Sequence, residues 1–340
     1  KGRKGNTKKI YELIQNENRQ TDFSGLFCQT SGVIMALFTD TVLIVLPVFL
    51  VIALGYLLRR LQLLDETFLF QTNRLVYVVF LPLLLFYKIS QADFTSYFNG
   101  PLVIGSSLVI AIGFTLSYFY AHLRGYSPPV HGSFCQGAFR GNLAYIGLSI
   151  CLNAYGDDGL TRAGILMGFL VPVLNLFAVL AFLLSGRNQP SAEKKPNWAT
   201  QLLLNPLIIA SFIGLFWSYF TIPLPLILHR GLQITTGLTL PLALIAIGGS
   251  FSMARLKGDL RCAGLSSAIK LLLLPLLATL LLYVMGVSGT DLAIGILLAG
   301  TPAATATYIM AHQLNGDAEL AGSIVMLSTL GSAFSYTICL

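Results

Sequence analysis

Three consecutive residues, Gly300-Thr301-Pro302 in the run LLAGTPAATATYIM, carry the types that stop one helix and start another. Glycine ends a helix at little cost, threonine caps an N-terminus and proline suits the first helical position. An earlier segment, FRGNLAYIG, offers similar punctuation, with Gly141 as breaker, Asn142 as N-cap and Arg140 directly before them. Both segments sit in apolar stretches, so each predicts a helix broken in mid-membrane. Two helix N-termini meeting there would present unpaired N–H groups and partial positive charge. Irregular backbone at that depth persists only when buried in protein or lining a watery cavity. A carboxylate suits such a place, because the N–H groups can bond its oxygens. The plainer alternative is a pair of tolerated kinks, which suits one isolated break better than two.

Other polar residues inside apolar runs extend this picture. Lys270 falls in the middle of an apolar run, where a cation costs at least ~2.5 kcal/mol. It serves either function or a pairing with helix carbonyls. Arg140 either faces the break or reaches the inner face, and Asn175 in VPVLNLF either binds ligand or bonds a neighbouring helix. Arg74 lies nearer a helix end and reads as an interfacial anchor. No acidic residue falls deep in any run: Asp291, Asp317 and Glu319 stand at run ends, and Asp157 and Asp158 in a loop. A carboxylate proton relay or an acidic sodium cage is therefore hard to build, although backbone carbonyls can hold sodium. The five cysteines are scattered without paired spacing, which gives neither a disulfide framework nor a zinc site. No HExxH or GxSxG is present, and the reading calls for no cofactor and no enzymatic activity.

The elements that must position these residues follow from composition. Of 340 residues, 55% are hydrophobic and only 10% charged, against about 25% charged in soluble domains; the surface faces lipid. Runs near the ~20 residues needed to span a bilayer occur at 41–60, 68–89, 100–123, 131–154, 161–184, 202–221, 231–251, 260–284, 290–312 and 318–340. The net charge of +7 comes from basic residues in short loops, a topology signal rather than a nucleic-acid footprint. With the first span running inward, the inner loops hold Arg59, Arg60, Arg124, Arg187, Lys194, Lys195, Arg255, Lys257 and Arg261. The outer loops hold Lys88, Arg162 and Arg230, so both termini are expected outside. Residues 1–40 form a polar, basic tail, with Met35 as the expected native start.

The chain also repeats itself at a fixed offset of 159 residues, as from Pro47 to Pro206. Gly55 matches Gly214, Leu81-Pro82-Leu83 matches Leu240-Pro241-Leu242, Gly105 matches Gly264 and Gly141 matches Gly300. Each repeat has five spans, and an odd number makes the second copy enter from the opposite face. The expected fold is an all-α membrane protein of ten transmembrane helices in two inverted repeats, 41–184 and 202–340. A cytoplasmic loop at 185–201 joins them, and helices 4 and 9 are broken and cross. That architecture builds alternating access around a midplane site.

The segments LPVFLVIALGYLLRR, NRLVYVVFLPLLLF, RGNLAYIGLSI, PLALIAIGGS, KLLLLPLLA and TPAATATYIMAHQLNGDAELAGSIVMLST resemble the auxin efflux carrier family, over about residues 41–340. That family includes plant PIN carriers and bacterial malonate and malate permeases. The resemblance implies spans 1, 2, 6 and 7 as scaffold and spans 3–5 and 8–10 as a moving transport domain. It also implies a site where spans 4 and 9 cross, on Asn142 and Pro302, with Asn175 matching a fifth-span asparagine. Leu143 stands where plant members carry a second crossover proline, and the long hydrophilic loop of many plant carriers is missing. The expectation is a bacterial inner-membrane exporter of small organic anions, working as an elevator and possible as a homodimer. Its substrate site comprises Arg140, Gly141, Asn142, Asn175, Lys270, Gly300, Thr301 and Pro302. A sodium- or proton-coupled symporter of the bile-acid-transporter type and a carboxylate sensor are the alternatives.

Overall fold

The computed structural model describes residues 23–186, 204–251 and 259–339. Most of the expected loop at 185–201, the inner-loop residues Arg187, Lys194, Lys195, Arg255 and Lys257, and the first part of the expected tail lie outside them. The chain divides into two compact units, Lys1–Leu43 and Ile44–Leu340, and every contact described below belongs to the second.

Helix α1 spans Phe23–Arg60, so helical backbone begins upstream of residue 41, where the apolar run starts. The others are α2 Glu66–Ser90, α3 Gly100–Leu123, α4 Pro128–Phe139, α5 Leu143–Ser185 and α6 Pro206–Tyr219. After them come α7 Leu226–Gly249, α8 Leu260–Val284, α9 Gly289–Ala299, α10 Ala306–Gln313 and α11 Ala318–Cys339. Among the described residues, 7 helices are long and apolar enough to cross a membrane, with α6 and α9 shorter but apolar. Large apolar side chains stand outward on α7 and α8, with Ile227 85% and Val284 74% exposed, as on a lipid-facing surface.

Helix limits follow local chemistry. Asn99 caps α3 by accepting from Leu102 N at 3.1 Å, with Pro101 in the first turn. Asn205 and Asp259 do the same for α6 and α8. Side-chain oxygens thus take the amides that a helix start leaves unpaired. Helix α5 has 43 residues, about 65 Å at 1.5 Å per residue, roughly twice the ~30 Å hydrocarbon core. Gly156, with φ 61° and ψ −151°, divides it; that backbone region is open essentially to glycine alone.

Packing between distant segments obeys the offset seen in the sequence. A Cβ on Gly55 would lie 2.8 Å from Ile245 Cα, and one on Gly214 would lie 3.4 Å from Phe86 Cα. Adding 159 to Gly55 and Phe86 gives Gly214 and Ile245, so each contact maps onto the other when the two halves are exchanged. The hydroxyl of Thr239 donates to Phe80 O at 3.3 Å, and these residues are 159 apart, so that contact maps onto itself. Helices α1 and α7 meet backbone to backbone through Gly55 and Gly248, the latter against Ile52. Small residues are the usual means of such close approach in a bilayer.

Turns of π-helix interrupt α2 at Val76–Phe80, open α5 at Leu143–Gly147 and interrupt α8 at Ile269–Leu273. Such turns are frequent at functional sites. Here one comes just after Arg74, one directly after Asn142, and the third includes Lys270.

Candidate functional site

Helix α4 stops at Phe139 and α5 starts at Leu143; α9 stops at Ala299 and α10 starts at Ala306. The two gaps pair with each other. Asn142 N donates to Pro302 O at 2.7 Å and Ala304 N donates to Arg140 O at 2.9 Å, forming an antiparallel bridge between Gly141 and Ala303. Ser328 accepts from Ala303 N at 3.0 Å. Each broken segment therefore supplies the partners that the other one lacks, which is how a bilayer tolerates such backbone. Gly141 is required at the contact: a Cβ there would overlap Thr301 Oγ1 and come within 3.2 Å of Lys270 Cε.

Asn142 acts as the expected N-cap, its Oδ1 accepting from Tyr145 N at 3.3 Å. The other restart differs from the sequence reading. Gly300 does terminate α9, but Thr301 does not cap α10. Its hydroxyl donates back to Leu298 O at 2.7 Å, residues 301–304 stay outside any helix, and α10 restarts with Thr305 as its N-cap residue. The pairing explains the shift. A helix begun at Pro302 would turn the Pro302 carbonyl into its own ladder and leave Asn142 N without its acceptor.

An open cavity of ≈ 1840 Å³ reaches the crossing. Arg140, Gly141, Asn142 and Asn175 line it, as do Leu143, Ala144, Thr305 and Ala306 at the two helix restarts. Lys270 and Thr301, in contrast, lie behind the crossing, 1% and 0% exposed, and Gly300 and Pro302 are not part of the cavity wall. The Lys270 ammonium donates to Ala299 O, in the last turn of α9, where the helix dipole favours a cation. It borders a small void of ≈ 30 Å³ together with Ser106 and Gly141. The arginine and the asparagine meet: Arg140 Nη2 donates to Asn175 Oδ1 at 2.9 Å, and Nη1 lies 2.6 Å from Met310 Sδ.

The cavity's charge is one-sided. Among the described residues, its ionised side chains are Arg59, Arg60, Arg74 and Arg140 against Glu66. Arg74, near a helix end, thus lines the cavity as well. Its helix presents Phe70, Asn73, Arg74 and Tyr77 to the same space, a three-to-four-residue spacing that marks one helix face. Tyr145 OH donates to Asn73 O at 3.4 Å, joining that face to the restart after Asn142. Away from the cavity an ionic cluster ties other elements together. Lys88 pairs with Asp157 at 2.7 Å, and Arg162 pairs with Asp158 at 2.9 Å and Asp291 at 2.8 Å. No group of His, Cys, Asp and Glu able to hold a metal ion occurs among the described residues.

Membrane-spanning helices, two of them interrupted and paired at the floor of a basic cavity, are the design of a polytopic membrane transporter. Comparison with known proteins gives the family. The membrane transport protein family matches residues 41–340, and the chain belongs to it, the family of the auxin efflux carriers. An uncharacterised transporter of Methanothermobacter thermautotrophicus is 26% identical over 298 residues, 87% of this chain and 95% of that protein. A protein of Rhizobium meliloti described as a candidate malonate transporter is 26% identical over 313 residues, 86% of this chain and 93% of that protein. An uncharacterised transporter of Methanocaldococcus jannaschii is 23% identical over 303 residues.

Proposed function

We propose that the protein is a secondary transporter, not an enzyme, that carries small organic anions across a prokaryotic inner membrane, with a carboxylate held where the two broken helices cross. The observation that carries this reading is the pairing of Asn142 with Pro302 beside a cavity lined, among the described residues, by four arginines and one glutamate. A carboxylate there meets the Arg140 guanidinium, oriented by Asn175, and the Asn142 side chain. The first amides of α5 and α10 add donors with partial positive charge. Lys270 contributes from behind by capping α9, and Gly141, Gly300, Thr301 and Pro302 shape the crossing rather than touch the ligand.

The transport mode is an elevator built on ten spans in two inverted repeats, 41–184 and 202–340. Contacts that map onto each other under the 159-residue offset support the repeat, and the length and Gly156 bend of α5 support two crossings within it. Helices α1, α2, α6 and α7 form the scaffold against which the crossing elements slide. With no acidic residue facing the crossing among the described residues, the membrane potential is the driving force. At about 100 mV, inside negative, a monoanion gains about 2.3 kcal/mol on leaving, roughly a 50-fold gradient, so the direction is export. The cavity lining includes Arg59 and Arg60, which belong to the inner side of a protein with both termini periplasmic.

Counterflow of radiolabelled malonate in sodium-free proteoliposomes tests this. Exchange that needs neither sodium nor a proton gradient is expected. Strict sodium dependence would instead favour the coupled symporter, and binding without exchange would favour a sensor.

A further inference from the structure

We propose that Arg74 is a second ligand-binding cation on the α2 wall of the cavity, and that the site therefore selects a dianion over the matching monoanion. The inference rests on the anion-carrier reading above and adds to it a specificity residue outside the crossing.

Among the described residues four arginines line the cavity, and they are not equivalent. Arg59 donates to Leu64 O at 2.9 Å and to Glu66 at 3.2 Å, so its charge is already answered. Arg60 reaches Tyr56 OH at 3.4 Å at the same end. Arg140 is fixed by Asn175 beside the crossing. Arg74 forms no hydrogen bond or ion pair with any described residue, and it is exposed to the cavity.

An arginine does not lose its proton, so Arg74, without a partner among the described residues, leaves a positive charge in need of one. A headgroup anchor would satisfy that need from the lipid side, but Arg74 shares its cavity-lining face with Asn73 and Tyr77. The turn that carries it touches the crossing: Tyr145 OH bonds Asn73 O, one residue from Arg74 and three residues beyond Asn142. A π-turn follows at once, at Val76–Phe80. One cation is thus held at the floor of the cavity and another stands on a different helix within the same space. A ligand with a single carboxylate answers Arg140 alone. A second carboxylate on the same small molecule answers Arg74, and its guanidinium fork suits that group two-handed.

Long-range steering is the rival role for such a residue. Steering changes association with salt and acts on every anion according to its charge. A contact instead changes the preference between two ligands of similar size.

The test is equilibrium binding to the purified full chain of malonate, succinate and glutarate, each paired with its monomethyl ester. The wild type is expected to favour at least one diacid over its ester by tenfold or more. Arg74→Gln should bring that ratio close to one, Arg74→Lys should restore part of it, and Arg140→Gln should weaken diacid and ester alike. Thermal unfolding of each variant separates lost contact from lost fold. An undiminished diacid preference in Arg74→Gln overturns this inference and leaves the carrier site intact. Failure of the wild type to bind any of the six compounds counts against the anion site itself, and with it against this role for Arg74.

Discussion

Asn142 and Pro302 are joined main chain to main chain, N to O, at 2.7 Å, although 160 residues separate them. The bond closes two helix breaks at once, and Gly141 makes it sterically possible. Gly141→Ala places a methyl group in overlap with Thr301 Oγ1 and 3.2 Å from Lys270 Cε, closer than packed side chains sit. Overpacking of this kind costs about 1–3 kcal/mol. The variant is expected to melt several degrees lower and to lose transport. Adding Thr301→Ala removes the worse overlap and should recover part of the stability; a Gly141→Ala protein with unchanged melting temperature would show that the crossing is looser than described.

Arg140 and Asn175 act as a pair. Arg140→Gln removes the charge at the cavity floor and should weaken carboxylate binding at least tenfold, about 1.4 kcal/mol or more. Asn175→Ala leaves the charge but frees the guanidinium that Asn175 holds at 2.9 Å, so a smaller loss is expected. The double variant should bind no more weakly than Arg140→Gln alone. Titration of all three variants with one carboxylate checks the coupling, and additive losses would mean that Asn175 contacts the ligand independently.

Lys270 separates stability from binding. It is 1% exposed and bonded to the last turn of α9, so Lys270→Met leaves a buried carbonyl short of a donor, at a cost of about 1–3 kcal/mol. The melting temperature without ligand should fall, and affinity should fall less than in Arg140→Gln. The reverse pattern, normal melting with lost binding, would place Lys270 in contact with the ligand.

Lys88 and Asp157 link α2 to the bend in α5 at 2.7 Å, with Asp157 78% exposed. Exposed pairs contribute about 0–1 kcal/mol, enough to tilt a balanced equilibrium but not to hold a fold. If the carrier moves as proposed, Lys88→Gln should leave the melting temperature within a degree or two and raise labelling of a cysteine at the crossing from the outer face. Restoring the pair in reversed charge, Lys88→Asp with Asp157→Lys, should return labelling to the wild-type level.

Much of the fold was legible because lipid imposes a simple rule. An unbroken apolar run has to be helical, and the expected spans 100–123 and 260–284 coincide with α3 and α8. The break at Gly141-Asn142 was readable for the same reason, since breaker and cap lie next to each other. Local propensity failed where a distant partner decides the outcome. Thr301 carries an N-cap's side chain, yet Asn142 needs the Pro302 carbonyl, and that need moves the restart of α10 to Thr305. Arg74 reads as an anchor from its position near a helix end, and the cavity adds a surface that the linear sequence does not display. The spacing of Phe70, Asn73, Arg74 and Tyr77 along one face was the available signal. Lys270 carried two readings, and the carbonyl of Ala299 is the partner that one of them required.

The most direct test of the central claim is equilibrium binding of radiolabelled malonate to wild type and Asn142→Ala, measured beside their melting temperatures. Loss of one N-cap costs about 1 kcal/mol of stability, so the variant should stay folded while its affinity drops at least tenfold. Equal affinity in the two folded proteins would contradict an anion site at the crossing.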